Sequence, residues 1–221
     1  MVLFMLYQPF QEVKLSVLGM GNMRLPTQGQ GGPIDEEKAR EIIEYAYRHR
    51  VNYFDTAYRY HGGASESFVG RVLSQFPRDT WYLASKMPGH MMNYQNGRLG
   101  FQGYLAGEKI GSVAEIFEEQ LEKCGVDYFD FYLLHNVCET SLEFYTNEEL
   151  NVVGYLLNQK KQGRIRHLGF SAHGRAETIE KFLNRYPGIQ CFCKLYDRMF
   201  SHSIRNHICT RIEQYRTFQL V

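Results

Sequence analysis

The feature that most constrains this chain is a repeated alternation of short apolar runs with amphipathic stretches. The runs are Leu15 to Gly19, Val51 to Asp55, Trp81 to Ser85, Phe129 to His135, Ile165 to Ser171 and Ile189 to Leu195. None shows a clean polar/apolar alternation, so each reads as a strand covered on both faces, which favours a parallel sheet. The intervening stretches carry helix signals. Asp35 is placed to cap a helix with an apolar stripe at Ile42, Ile43, Ala46 and Tyr47, and Ser65 one with Phe68, Val69, Val72 and Leu73. Ser112 with Glu115 forms a capping box for a helix ending at Gly125. Thr146 or Asn147 opens the next helix, with Glu149 in its first turn and Gly163 closing it. A fifth follows Gly174 and ends before Pro187.

Strand, helix, strand at this spacing gives either a doubly wound sheet or a (β/α) barrel. Two observations favour the barrel. No GxGxxG follows the first strand, and polar residues gather at the carboxyl ends of successive strands: Asp55, Ser85 with Lys86, His135 and Ser171. The segments from Pro26 to Pro33 and from Met87 to Lys109 read as loops, the second long enough to shape a pocket.

The 221 residues, 44% hydrophobic and 22% charged, suit a single globular domain over 1–221. A net charge of +1 gives no long-range attraction to nucleic acid or anionic membrane, so a small molecule is the expected partner. The apolar start, Val2 to Tyr7, is too short for a signal sequence or a membrane span, which makes the cytoplasm the expected location. Five cysteines, an odd number, read as reduced thiols, with Cys124 and Cys138 as small buried hydrophobes.

Four residues carry the candidate chemistry. Asp55, Lys86 and His135 end or follow three different strands, and Tyr60 lies five residues past Asp55, before the Gly62-Gly63 turn. A phenol with a pKa near ~10 is a poor acid at neutral pH, and an adjacent ammonium is expected to lower that value. Lys86 supplies the ammonium, Asp55 compensates it, and a neutral His135 orients a carbonyl oxygen beside the tyrosine hydroxyl. The set delivers a proton to a developing alkoxide.

The chain resembles the aldo-keto reductases from about Leu15 to Ile189. The resemblance rests on Leu18-Gly19-Met20-Gly21-Asn22-Met23-Arg24-Leu25-Pro26, on Phe54-Asp55-Thr56-Ala57 with Tyr60-His61-Gly62-Gly63 and Ser65-Glu66, on Ser85-Lys86, on Leu134-His135, and on Gly163 to Ser171. The Arg24-Leu25-Pro26 and Tyr60-His61-Gly62-Gly63 versions are most similar to a bacterial branch whose longer members carry a C-terminal ferredoxin-like segment. The resemblance implies a (β/α)₈ TIM barrel that uses NADPH or NADH to reduce an aldehyde or ketone to an alcohol. It makes Tyr60 the proton donor, Lys86 and Asp55 its tuners and His135 the orienting residue. Met23, Asp55 and Ser171 match positions near the nicotinamide and its ribose.

After Ile189 the family pattern is lost: Cys191-Phe192-Cys193-Lys194-Leu195-Tyr196 stands where glutamines are expected, including one near position 193. About six of the eight βα units are expected, so the barrel reads as incomplete, whether a fragment, a frameshifted product or a degenerate pseudoenzyme. Self-association through open sheet edges follows from that expectation. The tail is locally basic, with Arg198, Arg205, Arg211 and Arg216, and reads as a solvated face. Cys191 and Cys193, with His202, His207 and Cys209, lack the usual spacing of a zinc site, so no metal is expected.

Overall fold

Chain order and sheet order coincide in this protein, and that decides between the two architectures. The computed structural model describes residues 5–103, 106–107 and 110–191, for Gln190 and Cys191 the backbone alone. A hairpin of β1 (Tyr7–Phe10) and β2 (Val13–Ser16) comes first, followed by β3 (Met20–Gly21), α1 (Glu36–Arg48), β4 (Tyr53–Asp55), α2 (Ala64–Leu73) and β5 (Tyr82–Met87). A second hairpin, β6 (Met92–Gln95) and β7 (Arg98–Phe101), precedes α3 (Val113–Cys124) and β8 (Phe129–Val137). The described chain closes with α4 (Leu142–Thr146), α5 (Val152–Lys161), β9 (Ile165–Ala172), α6 (Ala176–Arg185) and β10 (Gln190–Cys191). The main sheet runs β3-β4-β5-β8-β9-β10, every neighbour parallel. A doubly wound sheet reverses its order at a switch point, and no reversal occurs among these six strands. They are consecutive staves of a barrel wall.

The strands divide the core into two layers. Phe54, Leu83, Tyr132 and Leu134 face outward into a sheath completed by the helices, with Phe68, Val72, Phe117, Leu156 and Phe182. Tyr53, Ala84, Phe131 and Leu133 face inward and pack against Phe10 and Leu15 of the first hairpin, which closes the amino end of the barrel. Strand parity then carries the inward direction two residues on, to Asp55, Lys86 and His135. At the amino end, the Asp130 carboxylate accepts from the Leu83 amide, Arg78 and Arg166, tying β5, β8 and β9 together.

Several helix ends fall where the caps predict. Asp35 accepts from the Lys38 amide, Ser112 from the Glu115 amide, and α3 stops at Gly125 with φ 62°. Others move. Ser65 lies inside α2, whose N-cap is Gly63, because its hydroxyl bonds Thr56 Oγ1 and the Asn22 carbonyl instead of a helix amide. Residues 142–146 form α4, and α5 begins only at Val152, since the Asn147 side chain accepts from the Leu150 amide and holds a turn there. The run Leu15 to Gly19 is not one strand: β2 ends at Ser16, and β3 starts the sheet at Met20. The expected strand from Ile189 is seen as Gln190–Cys191, and its continuation lies outside the described residues.

Helices α2 and α3 meet at Gly70, where an added Cβ would lie 2.1 Å from the Cys124 carbonyl oxygen. That backbone cannot retreat cheaply, because Cys124 is the last residue of α3. Gly70→Ala is therefore expected to destabilise the protein by about 1–3 kcal/mol through overpacking, read as a fall in urea midpoint. An unchanged midpoint would show that the two helices can separate without loss.

Candidate active site

The inward parity of β4, β5 and β8 brings three of the four candidate residues to one place. The Lys86 ammonium lies 2.6 Å from Asp55 Oδ1, 2.7 Å from the Thr56 carbonyl and 3.3 Å from the Tyr60 hydroxyl. All three of its hydrogens therefore have acceptors. Asp55 and Lys86 are both buried, at 2% and 4% exposure, so the pair is shielded from water and salt. Tyr60 sits in a single 3-10 turn, Tyr60–Gly63, in which His61, Gly62 and Gly63 take φ values of 54°, 65° and 95°. This left-handed run is why glycines stand there, and it swings the phenol back over the barrel mouth. The His61 ring accepts from the Leu25 amide at 3.0 Å and fixes the loop that follows β3.

His135 completes the cluster, its ring edge-on to Tyr60 at 5.9 Å between centroids. Burial, the Lys86 cation, His90 and His173 push its pKa well below the ordinary value, so the imidazole is neutral. Burial works against the Lys86 charge, but Asp55 and Tyr60 overcome it and raise the ammonium above its usual range. The expectation for Tyr60 is corrected. Burial raises the phenol, the Asp55 carboxylate adds to the rise, and the Lys86 ammonium only partly opposes it. The physical reason is burial of the phenol, which outweighs a lowering by the Lys86 ammonium that is itself larger than the rise from Asp55.

Ser171 is the penultimate residue of β9, buried, and its hydroxyl accepts from the Asn136 amide at 2.9 Å. Met23 follows β3 and is 47% exposed. Ser85 does not join the cluster, because alternation along β5 turns its hydroxyl outward to Glu66. The segment after β5 is less loop-like than its sequence suggests. Its first turn, Gly89–Met91, packs under α4, where a Cβ on Gly89 would strike the Tyr145 ring at 2.5 Å. Tyr145 Oη in turn lies 2.9 and 2.8 Å from the carbonyls of Met87 and His135.

This packing delivers a residue that sequence reasoning missed, His90, whose ring meets His135 edge-on at 4.4 Å. Only the Pro88-Gly89 turn before it hinted at a close approach. The β6–β7 hairpin carries a shallow depression lined by Asn93, Arg98 and Leu99, away from the clustered residues. Cys124 is a buried free thiol, as expected, but Cys138 is half-buried and lies near the hydroxyls of Thr140 and Ser141. Among the described residues no three His, Cys, Asp or Glu side chains are grouped to hold a metal, and no helix is long and apolar enough to cross a membrane. The Gln position near 193, Cys191 and Cys193 as ligands, His202, His207, Cys209, the basic tail and the sheet edge beyond Cys191 all lie outside the described residues.

Residues 17–219 match the profile of the Aldo/keto reductase family. The chain belongs to that family. The match continues past Ile189, where the recognisable motifs end. The NADH-specific methylglyoxal reductase of Escherichia coli is 28% identical over 183 residues, covering 78% of this chain and 52% of the relative. The D-arabinose 1-dehydrogenase of Saccharomyces cerevisiae is 29% identical over 170 residues, covering 75% and 45%. The chain spans about half the length of the curated relatives it matches. Among solved structures, an aldo-keto reductase of Bacillus halodurans in its holo form superposes with a TM-score of 0.69 at 25% identity. That match covers 96% of this chain and 65% of the other. The family is one of oxidoreductases that generally use NADH or NADPH, and the fold is its TIM barrel.

Two neutral imidazoles in the site contribute to its acid sensitivity. Burial lowers His90 to about 4 and His135 well below its ordinary value, whereas both protonate near 6.5 when unfolded. Their contribution is therefore fully present above pH 6.5 and is lost as pH falls toward 4, at about 1.4 kcal/mol per pH unit for each. His90→Gln should halve that part of the slope in urea denaturation between pH 6 and 5. An unaltered slope would mean that His90 is not buried neutral.

Proposed function

We propose that this chain carries the reducing centre of an NADPH- or NADH-dependent enzyme that converts an aldehyde or ketone to an alcohol, with Tyr60 as proton donor. One observation carries the reading: Lys86 donates to the Tyr60 oxygen, so the phenol's own hydrogen is available to an incoming oxygen. A carbonyl oxygen seated between the Tyr60 hydroxyl and the His135 ring would take that hydrogen as it gains electrons. Neutral His135 donates a hydrogen bond without competing as an acid. Lys86 stabilises the tyrosinate left behind, and Asp55 keeps the ammonium in place.

The cofactor, when bound, supplies the hydride. Two features of the chain fit such a group. Asn22 Oδ1 and Asn136 Oδ1 are buried acceptors with no hydrogen bond, at the carboxyl ends of β3 and β8, and amide and ribose hydroxyl donors are what they need. Ser171, beside Asn136, and Met23 and Asp55, beside Asn22, are the residues we assign to the nicotinamide and its ribose. The substrate is a small carbonyl compound, with neither nucleic acid nor membrane involved. NADPH and NADH are both to be tried, since one relative is NADH-specific by name and another, from Schizosaccharomyces pombe, carries NADP(+) in its name.

A second reading, a non-catalytic barrel that acts by associating with another chain, makes no use of a cofactor. Cofactor titration followed by the Trp81 fluorescence separates the two, with micromolar binding supporting the enzyme and none at millimolar cofactor supporting association. For the enzyme, Tyr60→Phe should lower kcat for a simple aldehyde about 10²-fold with cofactor affinity unchanged. An unchanged kcat rules Tyr60 out as the acid.

A further inference from the structure

The strand that presents Lys86 to the site presents Ser85 to a buried polar network on the opposite face. The Ser85 hydroxyl donates to Glu66 Oε1 at 2.5 Å, and Gln120 Nε2 reaches the same oxygen at 2.5 Å. The Tyr132 hydroxyl donates to Gln120 Oε1 at 2.5 Å, which fixes the amide so that its nitrogen faces Glu66. That nitrogen also lies 2.9 Å from Ser85 Oγ and 3.1 Å from the carbonyl oxygen of Lys86. Glu66, Ser85, Gln120 and Tyr132 are all fully buried, and they come from α2, β5, α3 and β8. Nothing in the proposed chemistry uses them, yet the one backbone group they hold belongs to Lys86.

We propose that Glu66 is a positioning residue for Lys86, acting through Gln120 and the Ser85–Lys86 backbone, so that its protonation is felt at the ammonium in the site. The inference rests on the reading of Lys86 as part of the proton-delivering cluster. Glu66 Oε2 is buried without a hydrogen bond, so ionising this carboxyl is costly. Burial pushes it up to about 7, against the hydrogen bonds from Ser85 and Gln120. The groups facing it are Lys123, Glu119 and Cys124 of α3, Tyr132 of β8, and Tyr58 from the loop after β4. Ionisation strengthens both hydrogen bonds to Oε1, drawing the Gln120 amide away from the Lys86 carbonyl and placing negative charge behind the strand.

The Lys86 ammonium is its own reporter. With three acceptors and 4% exposure its hydrogens exchange slowly, so it gives a sharp proton–nitrogen signal in lysine-labelled protein, assigned by contacts to the Tyr60 ring, 4.8 Å away. In the full chain this signal should shift with a midpoint near pH 7, and in Glu66→Gln it should not. Gln120→Met, which keeps the carboxyl and cuts the link, should at least halve the shift and speed exchange about tenfold. A wild-type signal that stays constant from pH 6 to 8, or the same titration in either variant, overturns the proposal. Because no turnover is needed, a titrating signal in a protein whose Tyr60→Phe variant keeps its rate would leave the positioning role standing and remove the catalytic reading.

Discussion

The structure is organised around one buried ion pair, Lys86 with Asp55, 2.6 Å apart where the inner faces of β4 and β5 meet. Two charges held away from water are costly unless each is fully hydrogen-bonded. Here the ammonium has three acceptors: the carboxylate, the Thr56 carbonyl and the Tyr60 oxygen. Satisfying that demand fixes the end of β4, the turn after it and the direction of the Tyr60 hydroxyl together. Tyr60 is nevertheless not acidified in the described structure, because burial of the phenol outweighs the lowering by the Lys86 ammonium.

Around this pair the barrel separates two kinds of polar chemistry. The inner face holds the ion pair and the neutral His135 imidazole. The outer face of the same strand holds Glu66, Ser85 and Gln120 within an otherwise apolar sheath. A two-residue period in β5 is enough to sort them, with consecutive residues serving opposite faces. At the amino end, the Phe10 and Leu15 hairpin and the Asp130 clamp close the barrel, and the candidate chemistry converges at the carboxyl end.

Much of this was legible in the sequence because strand ends announce themselves. Asp55, Lys86 and His135 each follow an apolar run, and the parity of that run alone sends them inward. Tyr60 was legible from its place just past the β4 end, before the Gly62-Gly63 turn, whose left-handed backbone positions it. What was not legible depended on contacts distant in sequence. Ser65 looked like a cap, but its hydroxyl is claimed by Thr56 and Asn22. Ser85 stood among the polar residues at strand ends, but its partner Glu66 lies 19 positions away on a helix behind the strand. His90 sits in a glycine-bearing loop and reaches His135 only because Tyr145 packs against Gly89. The first hairpin was missed because its turn uses Gln11 at φ 48° where a glycine or asparagine would have advertised it.

The claim that the Asp55–Lys86 pair organises the site is tested most directly by a double-mutant cycle on folding stability with Asp55→Asn, Lys86→Met and the two combined. Each single change leaves a buried group without its partner and should cost about 3–5 kcal/mol, whereas the double variant removes both charges and should recover much of that loss. A coupling energy of about 2 kcal/mol or more is the predicted result. Free energies that add to within about 0.5 kcal/mol would show that the two residues do not depend on each other, and would contradict the account.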